Sequence, residues 1–162
     1  MRKSLIVLVL LGILSSNAQV INFPDANFKA VLLAADVTNS KAYDCSQFSY
    51  HKIDTNSNGE IEQSEALAVC QLSIQNQNIS DLTGIEYFTN LKNLGCQNNN
   101  LSIVNLSQLI NLQTFVCDNN QFATIDLSGL DALKIFICKN NQSCVQLISA
   151  TNLLFRVSIG LR

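Results

Sequence analysis

The sequence predicts an α/β repeat solenoid: short parallel strands stacked into a concave sheet, with a helical cap at the N-terminal end. Three observations predict it. Leu91, Leu112 and Leu133 stand 21 residues apart, as do Leu94, Phe115 and Phe136, then Cys96, Cys117 and Cys138, then Asn99, Asn120 and Asn141. Within stretches such as Leu94-Gly95-Cys96 the apolar positions alternate, as a strand with one buried face requires. The residues ahead of the array carry helix and turn signals instead of another copy of the repeat.

Each turn reads L-x-x-[LF]-x-C-x-x-N, and an earlier, less regular turn places Leu72, Ile74, Gln77, Ile79 and Leu82 22 residues before Leu94, Cys96, Asn99, Leu101 and Val104. A fixed period of this length with this leucine and asparagine grammar resembles the leucine-rich repeat. Stacked turns bring like residues into ladders about 4.8 Å apart. Leu94, Phe115 and Phe136 form one core ladder, and Leu101 with Phe122 another. Asn99, Asn120 and Asn141 read as structural, because an inward amide can both donate to and accept from the bend after the strand. Cys96, Cys117 and Cys138 invite a metal or disulfide reading. Neighbours in a parallel ladder stay a strand spacing apart, wider than the roughly 3.8 Å between Cβ atoms of a disulfide. Packed thiols are the expectation.

The 162 residues are enough for one domain with a real core. Residues 1–18 read as a signal peptide: Arg2 and Lys3, an apolar run from Leu5 to Leu14, and Ser16-Asn17-Ala18 before Gln19. The run is short for a bilayer span, and no second run replaces it. The expected product is an exported chain, secreted or at the cell surface, with no membrane span after signal removal. Of 10 basic residues two leave with the leader, so 8 face 12 acidic ones, a net charge of −4. With no basic cluster and no aromatic stacking platform, nucleic acid is not an expected partner. Export permits disulfides. Cys45 and Cys70 flank one segment and can staple it, which would leave Cys144 over; the pairing stays open at this point.

Residues 19–71 are read as the cap, 72–142 as the repeats and 143–162 as an irregular half-turn with a terminal strand. In the cap, Asp25 after Phe23-Pro24 is a fitting N-cap for a helix whose apolar side is Phe28, Val31, Leu32 and Ala35. Val37 to Ser49 lacks periodicity and reads as loop. Residues 54–65 then match D-x-[DN]-x-[DN]-G-x5-E, the EF-hand calcium loop. Asp54, Asn56 and Asn58 offer side-chain oxygens, Gly59 permits the sharp turn, Glu60 offers its carbonyl, Glu62 can act through water, and Glu65 can bind bidentately. The competing reading is an ordinary Asn- and Gly-rich turn before a helix over Glu65 to Val69. With three carboxylates among the side-chain positions and no second loop, Ca²⁺ affinity is expected at roughly 10⁻⁴ to 10⁻³ M, a structural clip and not a sensor.

The order of parts carries a wider resemblance. Asp25, Phe28, Lys29, Leu32 and Leu33 in the first helix, the loop from Ile53 to Ile61, the run from Ile79 to Leu91 and the C-x-x-N repeats follow one another. The chain is similar to secreted leucine-rich repeat proteins of Bacteroidetes-type bacteria, which are similar in repeat style to internalins. That resemblance implies a curved solenoid that binds at or outside the cell surface, with no particular ligand. Leu82, Ile85 and Phe88 are expected to face the core. Leu154 to Ile159 is either a terminal strand or the sign of a truncated reading frame, since Ser143, Gln146 and Thr151 break the pattern before it.

Strand residues between the core positions point out of the concave sheet: Gln71, Ser73 and Gln75; Asn93, Gly95 and Gln97; Thr114, Val116 and Asp118; Ile135, Ile137 and Lys139. The candidate ligand surface is Thr114, Val116, Asp118, Ile135, Ile137 and Lys139, where apolar groups gather. Its partner would be a protein or glycan. A second copy or a missing segment covering the same residues is the alternative, giving a structural or adhesion component. An enzyme is disfavoured: His51 is the only histidine and is expected in solvent, no G-x-S-x-G appears, and Asp118 and Asp126 lack an acidic partner one turn away.

Overall fold

The computed structural model describes residues 19–142 together with the backbone of strands at 145–147 and 156–158. The leader at 1–18, Ser143, Cys144 and Thr151 lie outside the described residues. In chain order the elements are α1 (Ala26–Leu33), β1 (Ala42–Asp44), β2 (Ser49–Tyr50), α2 (Gln63–Ala66), β3 (Val69–Ser73) and a 3₁₀ turn at Ile85–Tyr87. Then follow β4 (Asn93–Gly95), β5 (Thr114–Val116), β6 (Thr124–Asp126), β7 (Ile135–Ile137), β8 (Val145–Leu147) and β9 (Arg156–Ser158).

The repeat period becomes a sheet in unbroken register. Strands β3, β4, β5, β7 and β9 pair in parallel, matching Leu72 to Leu94, Phe115, Phe136 and Val157 in turn. The first four of these side chains are buried, and the Phe115 and Phe136 rings stack with centroids 5.7 Å apart. Burying each ring is worth about 1.5–3 kcal/mol, so one ladder already supplies a large share of the driving force. The half-turns pair separately, β6 with β8, placing Gln146 opposite Ile125. Leu82, Ile85 and Phe88 lie in the core, as does the thiol column of Cys96, Cys117 and Cys138. Burial pushes the Cys96 thiol far above its ordinary value, with the charge of Asp118 adding to the effect.

The asparagine column ties each turn to the one before. Asn99 Nδ2 donates to the carbonyls of Ile74 (2.9 Å) and Cys96 (3.0 Å), and its Oδ1 accepts from the N–H groups of Gln77 (3.1 Å) and Ile79 (3.0 Å). Asn120 repeats the arrangement one turn on, donating to Cys96 and Cys117 and accepting from Leu101. Asn141 does so again, with Cys117, Cys138 and Phe122. Each amide satisfies backbone groups that would otherwise be buried without partners.

The cap differs from expectation in two places. Val37 to Ser49 is not a plain loop: β1 and β2 form an antiparallel hairpin, and β1 pairs antiparallel with β3, extending the sheet to β2-β1-β3-β4-β5-β7-β9. A disulfide joins Cys45 in the hairpin to Cys70 in β3, with Cα atoms 5.8 Å apart. The helix after the loop stops at Ala66, and Val69 already belongs to β3. Val69 is β-branched and buried, so strand pairing wins over the helical continuation. The expected side of α1 does pack inward, through Phe28, Val31, Leu32 and the following Ala35.

Candidate functional site

Two places gather the sequence-derived site residues: the loop at 54–65 in the cap, and the outward rows of the sheet.

The loop is closed by its own side chains. Asp54 accepts from the N–H groups of Asn58 (3.1 Å) and Gly59 (3.1 Å), and Asn56 Oδ1 accepts from Asn58 N–H (2.9 Å). Asn58 Oδ1 accepts from Glu60 N–H (2.8 Å). Gly59 takes a φ of +81° with open space where a Cβ would stand, the left-handed turn for which glycine is suited. Glu65 accepts from both the N–H and the hydroxyl of Thr55 (2.7 Å each) and from Glu62 N–H (3.1 Å). Burial works against the ionised Glu65, yet the donors at Glu62 and Thr55 outweigh it and hold the carboxyl below its ordinary value. Glu62 is the N-cap of α2 in a reciprocal capping box with Glu65, and it also accepts from the amides of Asn58 (2.6 Å) and Asn56 (3.2 Å).

Two contacts fix this loop within the cap. Lys29 of α1 pairs with Glu60 at 2.7 Å, and residues 19–21 lie against 61–63 through Ile21 N–H to Ile61 O (2.9 Å) and Gln63 N–H to Gln19 O (3.0 Å). Asp54, Glu62 and Glu65 are all buried, and the donors that reach their three carboxylates, unlike the Lys29 that pairs with Glu60, are neutral. Among the described residues no group of three or more His, Cys, Asp or Glu side chains is arranged to hold a metal ion. A cation here would therefore draw on Asp54 and Glu65 with the amide oxygens of Asn56 and Asn58 and the Glu60 carbonyl. That all-oxygen set has the chemistry of a calcium site and not of a zinc site.

On the sheet, register lines the outward residues into rows. One row runs Tyr50, Tyr43, Gln71, Asn93, Thr114 and Ile135. The next runs Ser73, Gly95, Val116 and Ile137. Ile135 is 40% exposed, Val116, Ile137 and Asp118 are half-buried, and Lys139 is exposed. Asp118 Oδ1 accepts from Lys139 N–H, which fastens two neighbouring turns below that apolar group. The hairpin tyrosines escaped the sequence reading, because only the pairing of β1 with β3 puts them on this face. His51, expected in solvent, is half-buried, with its Nε2 enclosed and without a hydrogen-bond partner.

Among solved structures, the chain is similar to the functional domain of InlJ from Listeria monocytogenes, described as including a cysteine ladder. The identity is 26% and the TM-score 0.61, over 86% of this chain and 28% of that one. It is also similar in fold to an internalin, InlF, from Listeria monocytogenes, at 23% identity and a TM-score of 0.50, over 85% of this chain and 36% of that one. The chain thus spans about a third or less of the length of these two proteins. No family model matches it, and no curated protein does. The fold is an internalin-like leucine-rich repeat solenoid. No helix among the described residues is long and apolar enough to cross a membrane.

Proposed function

We propose that this is an exported, non-catalytic binding module that recognises a protein or glycan through its concave face, with a structural Ca²⁺ site in the cap. The observation that carries the reading is the in-register sheet, whose outward rows do no core packing and end in the Val116, Ile135 and Ile137 group. Such a surface fits recognition and not bond making. Export is supported by the leader-like start and by the Cys45–Cys70 disulfide, a bond that persists in oxidising compartments. The test is an array of extracellular proteins and glycans probed with wild type, Ile137→Asp and the control Ile103→Asp, whose position is 74% exposed outside the concave rows. Ligands lost by Ile137→Asp and kept by Ile103→Asp support the reading, and an array on which both variants, and Tyr50→Ala at the other end of the face, keep every ligand overturns it.

The Ca²⁺ part is tested by thermal unfolding in calcium and in chelator. With a Kd of about 10⁻³ M, roughly 10 mM Ca²⁺ adds about 1.4 kcal/mol by mass action. For a chain of this size that raises the midpoint by about 3–6 °C. The double variant Asp54→Ala, Glu65→Ala should abolish the rise, and equal midpoints in calcium and chelator would reduce the loop to a turn. A second reading, an adhesion component that packs against its own copies, is favoured by the exposure of Ile135. It predicts a sedimenting dimer that Ile137→Asp dissociates.

A further inference from the structure

We propose that the N-terminal end of the concave face, Tyr50 and Tyr43 beside Gln71 and Asn93, binds a neutral oligosaccharide. This rests on the concave-face reading and narrows its ligand to one class.

The site is assembled by the hairpin. Tyr50 lies opposite Tyr43, and Tyr43 opposite Gln71, so all three share a face of the sheet. The tyrosine rings meet edge to face at 5.7 Å and 83°. The ring that presents its edge keeps both faces uncovered by its partner, and Tyr50 is 41% exposed. Next along the row come the amide of Asn93 and the hydroxyl of Thr114, each one strand further on. The row from Tyr50 to Thr114 crosses four strand spacings, about 19 Å, a length that accommodates several sugar rings.

The second row keeps the floor low. Gly95 has no side chain, and a Cβ there would stand 3.0 Å from Gln97 Oε1. That oxygen is enclosed and has no hydrogen-bond partner, while its counterpart one turn back, Gln75 Oε1, accepts from the Ser73 hydroxyl at 2.9 Å. Neither Tyr50, Tyr43, Gln71, Ser73, Asn93, Gly95 nor Thr114 carries a charge. An uncharged surface of ring faces, amides and hydroxyls complements a ligand with apolar C–H faces and many hydroxyls, and offers nothing to pair with an anion or cation. The hairpin is pinned for this. The Cys45–Cys70 disulfide anchors it, and Asp44 Oδ1 accepts from the N–H (2.7 Å) and hydroxyl (2.6 Å) of Ser46, which hold that carboxyl below its ordinary value. Pre-ordering of this kind reduces the entropy lost on binding.

The chain has no tryptophan and 3 tyrosines, two of them in this pair, so tyrosine emission reports on the site directly. Cellohexaose and chitohexaose serve as neutral probes and a heparin hexasaccharide as the anionic control, with calorimetry alongside. The expected result is saturable binding of a neutral probe that about 0.5 M NaCl leaves unchanged. Tyr50→Ala and Asn93→Ala should each weaken it about tenfold. Both variants should unfold within about 2 °C of wild type, since both positions lie outside the core. No saturation with either neutral probe, equal binding by Tyr50→Ala, or binding of heparin alone would overturn the proposal. If neutral probes fail while Ile137→Asp still abolishes array ligands, this inference falls and the concave-face reading stands. If neither Ile137→Asp nor Tyr50→Ala costs any array ligand, the reading beneath it falls too.

Discussion

Asp25 is the residue whose loss should most cleanly separate cap from repeats. Its Oδ1 caps α1 by accepting from Phe28 N–H at 2.9 Å. Its Oδ2 reaches across 55 residues to accept from the N–H and hydroxyl of Ser80, both at 2.8 Å, and from Asp81 N–H at 3.2 Å. One carboxylate thus starts the helix and clamps it to the first repeat. The cap is worth about 1 kcal/mol. The long-range bonds add about 0.5–1 kcal/mol each, below the usual range for a charged acceptor because Ser80 is exposed. Allowing for overlap, Asp25→Ala should cost about 2–3 kcal/mol, a fall in midpoint of about 5–10 °C by calorimetry. Asp25→Asn keeps a single acceptor oxygen and should lose about half as much. Partial burial opposes ionisation of Asp25, but the donors at Ser80, Phe28 and Asp81 prevail and its carboxyl lies below the ordinary value. Because the folded value is depressed, this stabilisation is complete above the unfolded value, near 3.9, and is lost as pH falls through the folded one. The acid limb of wild type should therefore be steeper than that of Asp25→Asn. A midpoint within about 2 °C of wild type for Asp25→Ala, or identical acid limbs, would refute the clamp.

Three further outcomes follow from the packing. Asn120→Ala leaves the buried N–H of Leu101 without its acceptor and takes one of two amide donors from each of the Cys96 and Cys117 carbonyls, which Asn99 and Asn141 still reach, so it should cost about 2–3 kcal/mol in urea unfolding, well above an exposed control such as Asn100→Ala. Gly84→Ala sets a Cβ 2.6 Å from the Phe23 ring at a φ of +104°, so it should cost about 2–4 kcal/mol, part of it recovered by the compensating Phe23→Leu. Replacing Cys45 and Cys70 with serine opens a link spanning 25 residues and should lower stability by about 3 kcal/mol, measured as a fall in urea midpoint with the thiol column left intact.

How far the sequence could be read tracks how local each signal is. The repeat strands were legible because their columns recur, and recurrence survives the loss of any single position. Hairpin β1–β2 was not: Ala42-Tyr43-Asp44 and Ser49-Tyr50 are too short to show a period, and their stability comes from β3 and the disulfide. Without the hairpin, Tyr43 and Tyr50 had no place on the concave face. The loop from Asp54 to Glu65 was legible as a tight turn, through Gly59 and the Asp and Asn side chains that close it. The part taken by Glu62 was hidden, since its N-cap role depends on the four-residue α2 starting at Gln63. His51 followed the hairpin inward for the same reason: its N–H bonds Ala42 O at 3.0 Å.

The abundance of asparagine around each turn answers a shortage of strand. Strands of three residues supply few ladder hydrogen bonds, so turns spaced 21 residues apart need fastening elsewhere. Asparagine provides it at three stations, each with a different physical demand. Asn99, Asn120 and Asn141 stand inside, where an amide must satisfy donors and acceptors together. Their neighbours Asn98, Asn119 and Asn140 take φ values of 54–56°, a left-handed conformation asparagine tolerates better than most residues. Their amides also chain along the surface, Asn140 to Asn119 and Asn119 to Asn98, at 2.7 Å each. A third pair, Asn90 and Asn111, donates from the loops ahead of the strands to the carbonyls of Leu67 and Thr89 in the preceding turns. Aspartate could take the left-handed turn but could not donate along the ladder, and glutamine would overreach the buried bend. At position 132 the third column becomes alanine, so the turn there lacks that tie to its predecessor and relies on the other two. The spacing of these amides, and not the leucines alone, is what holds successive turns together and keeps the outward rows in line.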